Sequence, residues 1–314
     1  MIGGQKVKTN AGTRSLSRMA RQEARAGYLF ILPTYLFYFI FMLIPLRMTI
    51  YYSFTKFNMV KPPQWIGLSN YLKMFSDKVI FITLKNTIVF TVSSTVLKMM
   101  AGFILAVLFA TNGLYRPVRS IGRGVLFFPY VVGLSYIALA FGYLFATDTG
   151  AINWFLVNKL GIEKIPWFTN STYAMMMLIL IDVWKNMGFA MLLYLAGMQS
   201  ISSDYYEAAS LDGASRWQQT IHITLPLVLP TTVMCIILFT INGLQLFDAP
   251  SIITNGGPGN STRSLVMYIY MRAFTKYEMG YASAISLAFM LIMAVVSYFQ
   301  LKLENMGDNK GKEM

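Results

Sequence analysis

Residues 205–230 read YYEAASLDGASRWQQTIHITLPLVLP, and the rest of the chain is organised around them. The stretch is polar, yet it lies between two apolar segments, each long enough to cross a bilayer. Glu207, Ala208 and Ala209 favour a short helix. Asp212-Gly213 breaks it, residues 214–222 read as a second helical run, and Pro226 falls just inside the next apolar segment. Two short helices joined at a glycine suit a docking knuckle better than a flexible linker.

Composition assigns the solvent. The 314 residues are 56% hydrophobic and 12% charged, about half the charge of a soluble domain, which averages roughly 25%. The formal net charge of +13 does not point to nucleic acid, because the bases neither form one basic face nor alternate with aromatics. Loops facing anionic headgroups account for it more simply. One cysteine, Cys235, and one histidine, His222, rule out an internal disulfide and a Cys/His metal site. A Ser-His-Asp triad would have to use His222, which sits in the docking stretch beside basic and amide residues, so hydrolase chemistry is not expected. The GxxxxGK[ST] pattern is absent, so this reading expects a non-catalytic chain that binds no cofactor, and any ATP hydrolysis must come from a partner.

Six apolar segments are expected to be transmembrane helices, at about residues 28–53, 84–111, 121–146, 172–198, 224–247 and 280–301. The expected fold class is an all-α integral membrane protein. Residues 1–27 form a basic tail, 28–302 the six-helix domain with its knuckle at 201–223, and 303–314 a second tail. Pro33 and Pro45 are expected to kink the first helix. Six spans place both termini on one side. Lys and Arg number thirteen on that side against nine on the other, six of them (Lys6, Lys8, Arg14, Arg18, Arg21 and Arg25) ahead of the first span. Both termini and the Glu207 loop are therefore expected on the cytoplasmic side of the membrane. Small residues at four-residue spacing, Gly102-Ala106-Ala110 and Ala138-Gly142-Ala146, are expected to pack helices closely.

Polar groups inside a membrane are costly, about 2.5–3.5 kcal/mol for a charge at mid-helix, and so mark candidate sites. The fourth segment carries Asp182, Trp184, Lys185 and Asn186 near its middle. Asp182 and Lys185 are three residues apart. They can pair and brace the helix, or face a water-filled path with Trp184 as a stacking surface. The fifth carries Asn242, Gly243, Gln245 and Asp248 beside Phe239 and Phe247, a mixture suited to a sugar's hydroxyls and apolar ring face, or to interhelical hydrogen bonds. The third adds Tyr130 and Ser135. Arg47 and Lys98 are expected to extend toward the headgroups.

The spacing around Glu207 also resembles a known family. Glu-Ala-Ala, then Gly six residues after the Glu, then Ile-x-Leu-Pro, matches the EAA loop of the permease subunits of binding-protein-dependent ABC importers. PYVVGLS, DVWKNMGFAMLLYLAGMQSI, TNGGPGNST and Asn86-Thr87 resemble the sugar permeases, the MalF-like half in particular. The resemblance spans roughly residues 28–302. It implies a type I ABC importer permease fold and a subunit that translocates a sugar or oligosaccharide. It also implies a MalG-like second permease, two ATPase subunits and an extracellular solute-binding protein as partners. Glu207, Ala208, Ala209, Asp212, Gly213, Ile223, Leu225 and Pro226 would couple to an ATPase. The family's sugar-contacting positions fall on Tyr130, Leu134, Asp182, Lys185, Asn186, Phe239, Gly243 and Leu246. Phe239, Gly243 and Leu246 replace the family's amides and hydroxyl, so the cargo is not expected to be maltose. A secondary transporter would also explain six spans, but no inverted repeat or strongly discontinuous pair of helices is expected here, and the knuckle would be unexplained. A permease for another solute, such as a glycerophosphodiester or polyol, is the alternative within the family.

Overall fold

The computed structural model describes residues 18–110 and 115–311. Lys6, Lys8 and Arg14 of the basic tail lie outside the described residues. The chain divides into two units, residues 1–51 and 52–314. The first is helical throughout its described part: α1 (Arg18–Tyr38), a π-helical turn (Phe39–Leu43) and most of α2 (Ile44–Ser53). The helix starts ten residues ahead of the apolar segment. The π turn ends at Leu43, two residues before Pro45, and the Ile44 N–H bonds the Phe39 carbonyl. Proline has no N–H and its ring crowds the carbonyl four residues back, so a wider turn ahead of it relieves both.

The second unit opens with a two-stranded antiparallel hairpin, β1 (Thr55–Lys56) and β2 (Gln64–Trp65), pairing Thr55 with Trp65. After α3 (Ser69–Ser76) comes α4 (Lys78–Ala110), whose 33 residues extend about 50 Å at 1.5 Å per residue. Next are α5 (Arg116–Val131), α6 (Leu134–Leu144), α7 (Ala151–Leu160) and α8 (Ser171–Gln199). Then follow α9 (Ser203–Leu211), α10 (Arg216–Gln219), a π turn (Thr220–Thr224), α11 (Leu225–Leu227) and α12 (Leu229–Leu244). A π turn (Pro250–Thr254), α13 (Leu265–Tyr270), a further π turn (Met271–Thr275) and α14 (Met279–Gly311) complete the described chain.

Among the described residues, four helical stretches are long and apolar enough to cross a membrane: Arg25–Ser53, Lys78–Ala110, Ser171–Gln199 and Met279–Lys302. The number rises to six if each of two bent pairs is one span. Those pairs correct the expectation of continuous helices. Pro117–Val131 meets Leu134–Leu144 at 95°, and Arg216–Leu227 meets Leu229–Leu244 at 64°. Gly133, extended at ψ 135°, starts α6 after Pro129 has weakened the end of α5. Pro226 and Pro230 flank the second break at Val228.

The core lies where α4 runs against α8, with α12 closing the groove between them. A Cβ on Gly102 would stand 2.4 Å from the Ala190 Cβ, and one on Gly188 only 1.9 Å from the Leu126 carbonyl oxygen. These contacts exist because no side chain intervenes. The small-residue stripe on α4 is buried at Gly102 and Ala106 but exposed at Ala110, and on α6 only Ala138 is buried. Gly142 faces open space, so that second stripe is not a packing surface within this chain.

The end of α4 away from the knuckle is tied down by charge. The Asp77 carboxylate accepts hydrogen bonds from the hydroxyls of Tyr268 and Tyr281, and Arg272 pairs with it at 3.1 Å and with Glu278 at 2.8 Å. Asn86 holds the returning loop by donating to the carbonyls of Asn260 (2.7 Å) and Arg263 (3.1 Å).

Candidate functional site: a docking knuckle and a polar cavity

The knuckle forms largely from local signals. Ser202 caps α9 by accepting the Asp204 N–H, and Asp204 sits in the first turn, where the helix dipole favours an anion. At the far end the Asp212 N–H reaches the carbonyls of Ala208 and Ser210. Gly213 follows at φ +81°, a left-handed position that glycine takes without strain. Its N–H bonds the Ser210 carbonyl, and the Ala214 N–H bonds that of Ala209. Ser215 and Gln218 then form a reciprocal capping box that starts α10.

Long-range contacts fasten the knuckle to its own stem. The hydroxyls of Tyr206 and Thr224 are 2.9 Å apart, and Gln219 Nε2 donates to Ser210 Oγ at 2.9 Å. The π turn ahead of Pro226 repeats the arrangement ahead of Pro45, with the Leu225 N–H on the Thr220 carbonyl. Glu207 is exposed and has no hydrogen-bond or ion-pair partner among the described residues. Ala208, Leu225 and Pro226 are also exposed, while Ala209 and Ile223 are half-buried. Leu211 is 90% exposed and Trp217 72%. The knuckle thus presents apolar side chains together with the Glu207 carboxylate. Beneath it lies a cavity of about 900 Å³ into which Glu207, Tyr206 and Leu211 face together with Arg119 and Arg123 of α5. Neither arginine was expected at this site. Arg123 also donates to the Phe109 carbonyl at 2.8 Å.

The second site is a cavity of about 580 Å³ whose wall is shared by α4, α5, α6, α8 and the end of α12. Tyr130, Leu134, Asp182, Lys185, Asn186, Asn242, Gln245 and Leu246 all line it, joined by Phe90, Phe127, Phe247 and Asp248. Ser135, Trp184, Phe239 and Gly243 do not. Trp184 packs on Phe141, ring centroids 5.3 Å apart. Phe239 is 1% exposed and lies edge-on to Phe189. Gly243 abuts Thr91, which a Cβ would approach to 2.9 Å.

The charges do not pair as the three-residue spacing allows. Asp182 Oδ2 takes Lys98 Nζ of α4 at 2.8 Å, and Asp182 Oδ1 accepts the Asn186 amide at 2.8 Å. Lys185 instead donates to the Tyr130 carbonyl at 2.8 Å, its Nζ 5.1 Å from the centre of the Tyr130 ring. That carbonyl is freed by the break between α5 and α6. Lys98 corrects a second expectation: its side chain is 1% exposed and lies over the Phe239 ring at 4.8 Å, so it does not reach toward headgroups. A signal for it was present in the sequence. Thr83, Thr87, Thr91, Ser94, Thr95 and Lys98 make a polar stripe at helical spacing along α4, and all six are buried.

With this geometry in view, comparison with known proteins is informative. The family model for "Binding-protein-dependent transport system inner membrane component" matches residues 99–305. The sulfoquinovosyl glycerol transport system permease protein SmoG of Agrobacterium fabrum is 35% identical over 81% of this chain and 82% of its own length. The trehalose/maltose transport system permease protein MalF of Thermococcus litoralis is 32% identical over 88% of this chain and 93% of its own length. Among solved structures, a chain of a bacterial ABC transporter involved in import of the acidic polysaccharide alginate superposes with a TM-score of 0.80. It covers 92% of this chain and 99% of its own length at 22% identity, a likeness of fold.

Proposed function

The chain belongs to the family of binding-protein-dependent transport system inner membrane components, and from that premise we propose that it is the sugar-translocating permease subunit of an ATP-driven importer. A second permease, two ATPase subunits carrying ATP and magnesium, and an extracellular solute-binding protein complete the complex. The sugar assignment draws on relatives named for sugar transport and on a cavity lined by amides, charges and aromatic rings. In this reading the chain crosses the membrane six times, each bent pair counting once. Both termini and the Glu207 loop then face the cytoplasm, and Glu207 docks in a cleft of the ATPase.

The observation that carries the reading is mechanical continuity. α8 holds Asp182, Lys185 and Asn186 at the cavity and runs unbroken to Gln199, where the knuckle begins. The knuckle's return limb becomes α12, whose far end supplies Asn242 and Gln245. Because Tyr206–Thr224 and Ser210–Gln219 lock the knuckle to that limb, displacement of Glu207 acts on both walls of the cavity at once. ATP-driven closure of the ATPases then rocks the bundle between inward- and outward-open states.

Pull-down of the tagged protein from its own host in mild detergent, with mass spectrometry, tests this. A second permease and an ATPase are expected, and Glu207→Ala is expected to lose the ATPase and sugar uptake while the protein still inserts. Gly213→Pro, which cannot hold a positive φ, is expected to do the same. Recovery of this chain alone, still transporting without ATP, would overturn the proposal.

A further inference from the structure

The polar cavity holds a cation, Lys185, that makes no ion pair with a carboxylate among the described residues. Asp182 is the nearest acidic residue in sequence and lies within electrostatic reach of Lys185, but its hydrogen-bond contacts are to Lys98 and Asn186. No carboxylate oxygen lies within 4 Å of Lys185 Nζ among the described residues. Its partner is the neutral Tyr130 carbonyl, which anchors the ammonium at the cavity wall. An ammonium has three N–H donors, so one bond to Tyr130 leaves two for a ligand. Besides Asp182, the lining carries one further carboxylate, Asp248. It lies beyond the end of α12 and has no cation within 4 Å among the described residues.

A fixed ammonium with no carboxylate in contact is costly at bilayer depth, and the cost is recovered when a ligand brings an anion to it. We propose that the cargo is a sugar bearing one anionic group, a carboxylate or a sulfonate, and that Lys185 binds that group. Asp248, Asn186, Asn242 and Gln245 take the sugar's hydroxyls, and the Tyr130 ring faces the apolar side of the sugar. Asp248 limits the charge: a second anionic group on the sugar would meet a carboxylate, so one negative charge is preferred over several. The inference deepens the sugar-permease reading and rests on it.

Uptake by host cells carrying the complete importer separates the two. The probes are a neutral disaccharide, a disaccharide with one uronic acid, a sulfonated glycoside of similar size and a fully uronic oligosaccharide. The wild type is expected to prefer the two singly charged probes, a measurement that needs no variant. Lys185→Gln should lower their uptake about tenfold or more relative to the neutral probe, the scale of one lost charge-assisted hydrogen bond. Lys185→Arg should retain most of it. Wild-type uptake confined to the neutral probe overturns the inference and leaves the sugar reading standing. So does an equal loss of all probes in Lys185→Gln, which would make Lys185 only a cap for the Tyr130 carbonyl. No uptake of any sugar removes both. Uronate and sulfonate uptake, compared with each other, identify which anion is carried.

Discussion

Removing the Lys98 ammonium should be among the most damaging single changes in the bundle. Lys98 is 1% exposed and Asp182 16%, with 2.8 Å between Nζ and Oδ2, and apart from Lys98 the carboxylate has only the Asn186 amide as a side-chain donor. Lys98→Met keeps the length and apolar volume of the stem over the Phe239 ring but leaves Asp182 without its counter-ion. Breaking a buried pair from one side costs about 3–5 kcal/mol, whereas replacing both partners with apolar groups of similar size is often near neutral. Lys98→Met and Asp182→Leu should therefore each destabilise by about that amount. The double variant should recover most of it, a coupling of at least about 2 kcal/mol. Denaturation of the purified protein in detergent micelles by sodium dodecyl sulfate, followed through its tryptophans, measures all four corners of the cycle. Additive effects, or single variants each costing under about 1 kcal/mol, would refute the argument. The pair would then behave as a solvated surface contact.

Two further outcomes follow from the packing and the charges. Gly188→Ala places a Cβ 1.9 Å from the Leu126 carbonyl oxygen, backbone that cannot rotate away. A loss of about 1–3 kcal/mol is expected in the same micelle assay, and wild-type stability would mean that α5 and α8 separate freely. At the end of α4, burial acts against the Asp77 charge, but hydrogen bonds from Tyr268, Tyr281 and the Val79 N–H, with the Arg272 guanidinium, hold its carboxyl below the usual carboxylate range. A folded-state pKa below the unfolded one gives stability that is present above about pH 4 and lost as pH falls through the lower folded value. Hydrogen exchange in the 265–280 segment should accelerate on acidification in the wild type. Asp77→Asn should exchange fast at every pH, and an unchanged acid profile in that variant would place the sensitivity in another group.

Much of the architecture was legible because it depends on neighbours in sequence. The knuckle needs only Ser202 and Ser215 as caps, a glycine free to take φ +81° at position 213, and helix formers between them. The apolar segments were legible for the same reason, since hydrophobic length alone decides whether a helix can cross hydrocarbon. Helix ends were less so. α4 begins six residues before its apolar segment, and the bends at 132–133 and at Val228 depend on what the two arms pack against as much as on the glycine and prolines nearby.

The cavity shows where local reading stops. Asn242 and Gln245 line it while Phe239 and Gly243 are buried against neighbouring helices. Residues one apart on a helix differ by about 100° in direction, so periodicity says which residues share a face. It does not say which neighbour that face meets. Charge pairing is still less local. Three-residue spacing allows Asp182 to meet Lys185, but the partner is Lys98, 84 positions earlier, brought there by the close approach of α4 to α8 that Gly102 permits. Residue types and their spacing determined the membrane helices and the knuckle. Which charges pair inside the bundle, and so which ammonium faces the cavity without a contacting carboxylate, was decided only when two distant helices came together.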